Sequence, residues 1–144
     1  MPARRHEPPI RSSRRLRSIA RSGGEAQRTE ISVPAEKRQV RVLRLVTAST
    51  MSLYAFGVDA VEDVRSAVDE SCALVLGSHG AEGRLSLVLD CEDDRISVVI
   101  RGDFDVAPVH GNEDDLRAEQ MLRPFVDRCD IDLVHHRVSF AVSV

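Results

Sequence analysis

The sequence is poor in aromatic residues, which make up 3 % of its 144 residues and include one Tyr and no Trp. Proteins that bind single-stranded nucleic acid by base stacking depend on such side chains, so this kind of binding is disfavoured. The three cysteines form no Cys-x-x-Cys motif. Their odd number argues against a disulfide framework and predicts a cytoplasmic protein. No apolar run approaches the roughly 20 residues of a membrane span, so no membrane association is expected.

Charge is unevenly distributed along the chain. Residues 1–39 hold ten basic and four acidic side chains, whereas residues 40–144 hold ten basic and nineteen acidic ones. Because the first 28 residues contain eight Arg and few large apolar groups, we predict a disordered Arg-rich tail over residues 1–28 and an acidic domain over residues 29–144. An arm for nucleic acid remains the alternative for the tail; the domain itself carries the wrong charge for phosphate.

Hydrophobic periodicity predicts the element order βααββαββ. The predicted strands cover residues 29–34, 84–89, 95–100, 130–134 and 137–142, and the predicted helices cover residues 36–56, 59–77 and 113–129, with a loop over residues 101–112 and a break at Pro124. Strands joined by short turns pair in antiparallel fashion, and their apolar face must be covered by helices. We therefore predict an α/β fold: a two-layer sandwich with a mostly antiparallel sheet and three helices on one face.

The two long helices carry different patterns. In the second, one apolar stripe at three- and four-residue spacing predicts the core face, formed by Val61, Val64, Val68, Cys72 and Val75. Asp59 and Glu62 have the spacing of an N-terminal capping box. In the first helix, Val42 and Leu45 widen the apolar surface beyond one stripe, which predicts a helix covered on two sides.

The segment from Asp63 to Glu70, with sequence DVRSAVDE, resembles the N-box helix of RsbW-like anti-sigma factors, which are serine-protein kinases of the GHKL ATPase superfamily. The resemblance extends over residues 29–144 and implies the GHKL ATPase-like fold. In that family the N-box Glu polarises the attacking group, and an Asn four residues later binds the Mg²⁺ of Mg·ATP. Glu70 matches the Glu and is the candidate catalytic and cofactor-binding residue. Leu74 stands at the Asn position, and leucine offers no oxygen to a hard cation.

Two further nucleotide motifs of the family are degenerate in this sequence. The Asp-x-Gly-x-Gly turn that contacts adenine corresponds to residues 101–105, which hold one glycine and two Asp in another register; Asp103 is the candidate contact. The glycine-rich ATP lid corresponds to residues 111–116, where three acids would repel a triphosphate. The resemblance therefore implies lost or weakened ATP binding and no cofactor, unless the chain is an active kinase that uses Mg·ATP.

Two functions follow from the resemblance. The first is a pseudokinase that acts as a regulatory protein-binding module: an anti-sigma factor that sequesters a sigma subunit and is relieved by an anti-anti-sigma antagonist. The alternative is an active serine-protein kinase that phosphorylates the antagonist. An acidic surface suits basic sigma helices, and a homodimer is a possible assembly. The candidate partner contacts are Glu62, Arg65, Asp69, Asp114 and Asp115.

The adjacent His135 and His136 do not predict a metal site. Neighbouring side chains on a strand point to opposite faces, so the two imidazoles cannot easily share one ion. His110 and Cys129 could add ligands, but their spacing is not diagnostic of any metal motif. We therefore expect no metal centre.

Overall fold

A computed structural model describes residues 27–77, 81–110 and 113–143. The predicted tail, apart from Gln27 and Arg28, lies outside this part of the chain. The elements are β1 (Gln27–Pro34), α1 (Val40–Met51), α2 (Val58–Leu76), β2 (Glu82–Cys91), β3 (Arg95–Val106), α3 (Asp114–Leu122), β4 (Arg128–Asp132) and β5 (Arg137–Ser143). A 3-10 turn, Lys37–Gln39, precedes α1. The predicted order βααββαββ is confirmed. No helix in the described ranges is long and apolar enough to cross a bilayer.

The five strands form one antiparallel sheet in the order β1-β2-β3-β5-β4. Alternate residues of β2 and β3 point to one face, as predicted, and six of them are completely buried there: Leu85, Leu87, Leu89, Ile96, Val98 and Ile100. Val138, Phe140 and Val142 of β5 join the same core. The three helices cover this face, so the predicted two-layer sandwich is confirmed.

Helix α2 lies at the centre of the helical layer and contacts both α1 and α3. Four residues of its predicted core stripe are buried, while Val61 is half-buried. The predicted capping box is wrong: Gly57 is the N-cap residue and no side chain caps the helix. Asp59 lies in the first turn, where a carboxylate still complements the positive end of the helix.

Helix α1 is shorter and more exposed than its pattern predicted. It buries Leu43, Thr47 and Met51 against the sheet layer. Val42 and Leu45 have exposed fractions of 38 % and 57 %, so no described element covers the second side of the helix. The prediction of a helix covered on both sides is therefore wrong within the described part of the chain.

The predicted loop over residues 101–112 is a strand in its first half, because β3 continues to Val106. The reason is a continued alternation: Phe104 packs against the core, whereas Arg101, Asp103 and Asp105 are exposed. The ring of Phe104 occupies the space where a side chain on Gly102 would lie, so this glycine allows the ring to fold back over the strand.

Helix α3 ends at Leu122, well before the predicted boundary at residue 129. Pro124 lies two residues further on, after the C-cap residue Arg123, and proline cannot continue the helical hydrogen bonding. Cys129 belongs instead to β4. Leu116 and Met121 are apolar but exposed, and the buried residues of this helix are Ala118 and Leu122.

Candidate functional site

A groove of about 850 Å³ lies along the C-terminal half of α2, between this helix and the start of α1. Both positions of the N-box pattern line it, Glu70 and Leu74, because residues four apart share one face of a helix. The other lining residues are Lys37, Arg38, Val40, Arg41, Arg44, Asp69, Ala73, Leu76, Gly77 and Met121. The groove therefore combines one carboxylate of the predicted motif, an apolar floor and a basic rim.

The basic rim comes from the 3-10 turn and α1. Nη1 of Arg44 donates to Oδ2 of Asp69 at 3.1 Å and so joins α1 to α2. Among the described residues, Lys37, Arg41 and Glu70 form no ion pair. The groove is thus locally cationic in a domain that is acidic as a whole. Sequence reasoning missed this rim, although Lys37, Arg41 and Arg44 have the i, i+4, i+7 spacing of one helix face.

Residues 108 and 110, which follow β3, pack against Gly77, one of the residues that line the groove. A Cβ atom placed on Gly77 would lie 2.9 Å from Cβ of Pro108 and 3.7 Å from Cε1 of His110. The side chain of His110 is only 8 % exposed, and its Nε2 has no hydrogen-bond partner among the described residues. The resemblance places the ATP lid directly after this segment, at residues 111–116, of which 111 and 112 lie outside the described ranges.

Asp103 does not lie in this groove. In the register of β2 and β3, Asp103 lies opposite Arg84. The next residue, Phe104, packs its ring against the core, on the face of the sheet that the helices cover. Asp103 therefore lies on the face of the sheet that carries no helix. The structure does not bring Asp103 and Glu70 together.

Three of the predicted partner contacts lie along α2. Glu62 accepts a hydrogen bond from Arg65 at 2.7 Å, and Asp69 is bound by Arg44. All three side chains of α2 keep a large exposed fraction, between 37 % and 60 %. They form one continuous charged strip, which we call the α2 strip (Glu62, Arg65 and Asp69).

The two predicted contacts on α3 have surroundings of their own. Oδ1 of Asp115 accepts a hydrogen bond from the backbone N–H of Leu133 at 3.2 Å, so this carboxylate holds the turn between β4 and β5. Oδ2 of Asp114 lies 4.0 Å from Nδ1 of His110. Both carboxylates lie in the first turn of α3, where they also complement its positive end.

The adjacent histidines lie in the turn between β4 and β5, not on a strand, and have different surroundings. Nδ1 of His135 lies 2.8 Å from Oδ2 of Asp132, and this hydrogen bond lowers the pKa of the Asp132 carboxyl. The ring of His136 packs against Phe104 with a centroid distance of 5.0 Å. Across residues 27–77, 81–110 and 113–143, no three His, Cys, Asp or Glu side chains are grouped as a metal ion requires.

Comparison with known proteins gives a partial similarity. No protein-family model matches the chain. It is 25 % identical over 76 residues to proteins named serine-protein kinase RsbW from Bacillus cereus (strain Q1), Bacillus thuringiensis subsp. konkukian (strain 97-27) and Bacillus mycoides (strain KBAB4). Each match covers 51 % of this chain and 48 % of the relative. The chain therefore spans about half the length of these curated relatives, and over that half it is similar to RsbW-type serine-protein kinases.

Proposed function

We propose that this chain is a regulatory protein-binding module of the anti-sigma type, which sequesters a sigma subunit and binds ATP weakly or not at all. The similarity to RsbW-type serine-protein kinases supports the general kind of protein. The chemistry of the groove beside Glu70 supports the loss of nucleotide binding.

The observation that carries the proposal is the side chain of Leu74. It lines the groove four residues after Glu70, where the N-box pattern requires an oxygen ligand for Mg²⁺. Magnesium is bound through oxygen atoms in near-octahedral geometry, and a leucine side chain supplies none. The metal that bridges the phosphates of ATP would thus lose a protein ligand.

The close contact between Gly77 and Pro108 adds to this argument. It leaves no room for a side-chain atom at the end of α2, and the buried ring of His110 lies beside it. A lid that folds over a nucleotide needs freedom to move. Here the chain leading to the lid position packs tightly on the helix that would hold the phosphates.

The α2 strip is the surface that we assign to the sigma subunit. Its two carboxylates, Glu62 and Asp69, lie on the exposed side of the central helix, and Glu70 continues the acidic surface into the groove. We expect the sigma helices that this strip contacts to be basic, because an acidic strip is complementary to a basic surface. Each carboxylate already has an arginine neighbour, so a basic partner would exchange these intramolecular ion pairs for intermolecular ones.

An active serine-protein kinase remains the second candidate, and one observation favours it. Glu70 has no ion pair among the described residues and shares its groove with Lys37 and Arg41, which could bind phosphate oxygens. The test is incubation with radiolabelled ATP, Mg²⁺ and the cognate antagonist. Phosphate on a serine of the antagonist that disappears in Glu70→Ala, but not in Glu62→Ala, would establish the kinase.

The proposed function is tested by complex formation with purified sigma subunits of the source cell, measured with and without Mg·ATP. We expect one sigma subunit to bind equally well in both conditions. The double reversal Glu62→Arg/Asp69→Arg should weaken the complex at least about tenfold, since it replaces attraction by repulsion. The matched control Asp105→Arg, on the helix-free face of the sheet, should have no effect. Failure of every sigma subunit to bind would contradict the proposal.

A further inference from the structure

The groove beside Glu70 has its cations on one side and an apolar surface on the other. The basic lining residues all come from the 3-10 turn and α1: Lys37, Arg38, Arg41 and Arg44. The end of α2 and one residue of α3 supply the apolar side, which consists of Ala73, Leu74, Leu76, Gly77 and Met121. A ligand that fits both sides carries an anionic group at one end of an apolar body.

Two of the four cations are already neutralised. Nη1 of Arg44 donates to Oδ2 of Asp69 at 3.1 Å, and Nε of Arg38 donates to Oε2 of Glu36. Each of these guanidinium groups has a carboxylate of its own, so neither adds to the net charge of the groove. The positive charge that remains available belongs to the other two lining cations.

Lys37 and Arg41 form no ion pair among the described residues, and their i, i+4 spacing brings them close together at the start of α1. Glu70 opposes them as the one lining carboxylate that has no ion pair in the described part of the chain. Two cations less one carboxylate leave a single positive charge. The groove therefore attracts one negative charge, whereas Glu70 repels the several charges of a triphosphate or a nucleic acid. A carboxylate head group can accept hydrogen bonds from both Lys37 and Arg41.

The apolar side favours an alkyl body over a base. Ala73, Leu74, Gly77 and Met121 line the groove and also a second cavity of about 240 Å³, so the apolar surface continues from one cavity into the next. None of these four residues has a nitrogen or oxygen atom in its side chain. The polar edge of a base bound there would lose its hydrogen bonds to water without replacement, and an alkyl chain has none to lose.

We propose that the groove beside Glu70 binds an amphipathic monoanion, an alkyl chain that ends in a carboxylate. The carboxylate lies at Lys37 and Arg41, and the chain lies over Leu74. The groove volume of about 850 Å³ is within the range of small-molecule sites, roughly 300–1,000 Å³. From Glu70 to Gly77 the helix rises about 10 Å, and an extended chain of about ten carbons has a similar length. This inference goes beyond the proposed function, which assigns no ligand to the groove.

The test is titration calorimetry of the full chain with decanoate below its micelle concentration. We expect saturable binding with a dissociation constant on the order of 0.1 mM. Octanoate should bind about tenfold more weakly, because it buries two methylene groups fewer. Decyltrimethylammonium has a chain of the same length with a positive head group, and it should not bind.

The head-group contact is tested by Lys37→Gln/Arg41→Gln. This double variant should bind decanoate at least about tenfold more weakly, because it removes two charge-assisted contacts. The matched control Arg95→Gln/Arg128→Gln makes the same change of charge on the helix-free face of the sheet and should leave the affinity unchanged. All four side chains lie at the surface, so circular dichroism should show that both double variants fold.

The apolar contact is tested by Leu74→Asn, which keeps the approximate shape of the side chain and places an amide on the apolar side. Decanoate should bind at least about tenfold more weakly, because the chain would cover polar atoms that it cannot bond. Leu45→Asn makes the same substitution on α1 at a position with an exposed fraction of 57 % outside the groove, and it should have no effect.

Several outcomes would overturn the proposal. One is the absence of saturable heat with decanoate, and another is an affinity that Lys37→Gln/Arg41→Gln shares with its control. Equal binding of decyltrimethylammonium would remove the role of charge. Displacement of decanoate by micromolar Mg·ATP would make the groove a nucleotide site.

Two further outcomes would assign the groove to a protein. If Leu74→Asn abolished sigma binding and left decanoate binding unchanged, the groove would belong to the sigma interface. If it abolished self-association in sedimentation and left decanoate binding unchanged, the groove would belong to a second copy of the chain. Complex formation with sigma subunits is measured without decanoate, so this inference can fail while the proposed function holds.

Discussion

Gly77 and Pro108 pack so closely that a Cβ atom on Gly77 would lie 2.9 Å from Cβ of Pro108. The contact joins the C-terminal end of α2 to the segment after β3. Gly77 has φ 69° and ψ 176°, a backbone conformation that only glycine adopts without strain. The end of the central helix is therefore fixed by two independent requirements for glycine, one in the backbone and one in the packing.

We predict that Gly77→Ala destabilises the domain by about 1–3 kcal/mol, since the added methyl group meets Pro108 and the backbone is strained. Urea unfolding followed by circular dichroism measures the change. The control is Gly57→Ala, where a Cβ atom would meet nothing within 4 Å and φ is −70°. It should change the free energy of unfolding by less than about 1 kcal/mol, because alanine is a poorer N-cap than glycine but loses less backbone entropy on folding. Equal effects of the two substitutions would contradict the close packing at Gly77.

Val68→Asp should unfold the domain. Val68 is completely buried at the centre of the α2 core stripe, and a carboxylate there would have no partner. The expected cost is several kcal/mol, which is comparable to the whole stability of a small domain. Val58→Asp makes the same change in the first turn of the same helix, where the side chain is 79 % exposed and a carboxylate complements the helix dipole. Thermal melts should show a cooperative transition for Val58→Asp and none for Val68→Asp.

The sheet and α2 could be predicted from the sequence because their patterns are local. Alternating apolar residues from Leu85 to Ile100 predict strands with one buried face, and the stripe through Val64 and Val68 predicts a helix with one buried face. The structure buries all four of these residues completely. The extension of β3 to Val106 was predicted as a loop, although Gly102 and Phe104 continue the alternation. Gly102 interrupts the apolar pattern because it has no side chain of its own. The ring of Phe104, two residues further on, fills the space beside it.

Features that depend on packing between elements could not be predicted. Val42 and Leu45 on α1 have the composition of buried residues, and only the arrangement of the layers leaves them exposed. For the candidate site, the motif identified Glu70, but the basic rim of its groove depends on how α1 packs against α2. Asp103 could be located only from the register of β3, which places it on the face of the sheet that carries no helix.

The cysteines should differ strongly in reactivity. Burial, with a smaller contribution from the charge of Asp69, raises the pKa of the Cys72 thiol to about 12, and burial also raises the pKa of Cys91 and Cys129. Since the thiolate is the nucleophile, a raised pKa slows alkylation. Cys129 alone is partly exposed. Iodoacetamide at pH 8 should therefore modify Cys129 in the native protein, and all three only in denaturant, as read by mass spectrometry. Native modification of Cys72 would contradict the assigned core.

The N-terminal boundary of the domain can be located with two deletions. Strand β1 begins at Gln27, two residues before the predicted start, and Arg28 forms an ion pair with Asp90 of β2 through Nε at 2.9 Å. Deletion of residues 1–26 should leave the thermal midpoint unchanged, as the composition of that segment predicts. Deletion of residues 1–28 should lower it slightly, since it removes two paired residues of β1. A large drop with the shorter deletion would mean that the segment contributes to the folded domain.

Titration calorimetry with Mg·ATP tests the central claim most directly. Each lost charge-assisted contact weakens binding by about 1.5–3 kcal/mol, so the loss of two or three reduces the affinity by roughly two to six decades. The account predicts no saturable heat with ATP at concentrations up to about 1 mM, for the native chain and for Glu70→Ala alike. A micromolar dissociation constant that Glu70→Ala abolishes and Glu62→Ala leaves intact would contradict it.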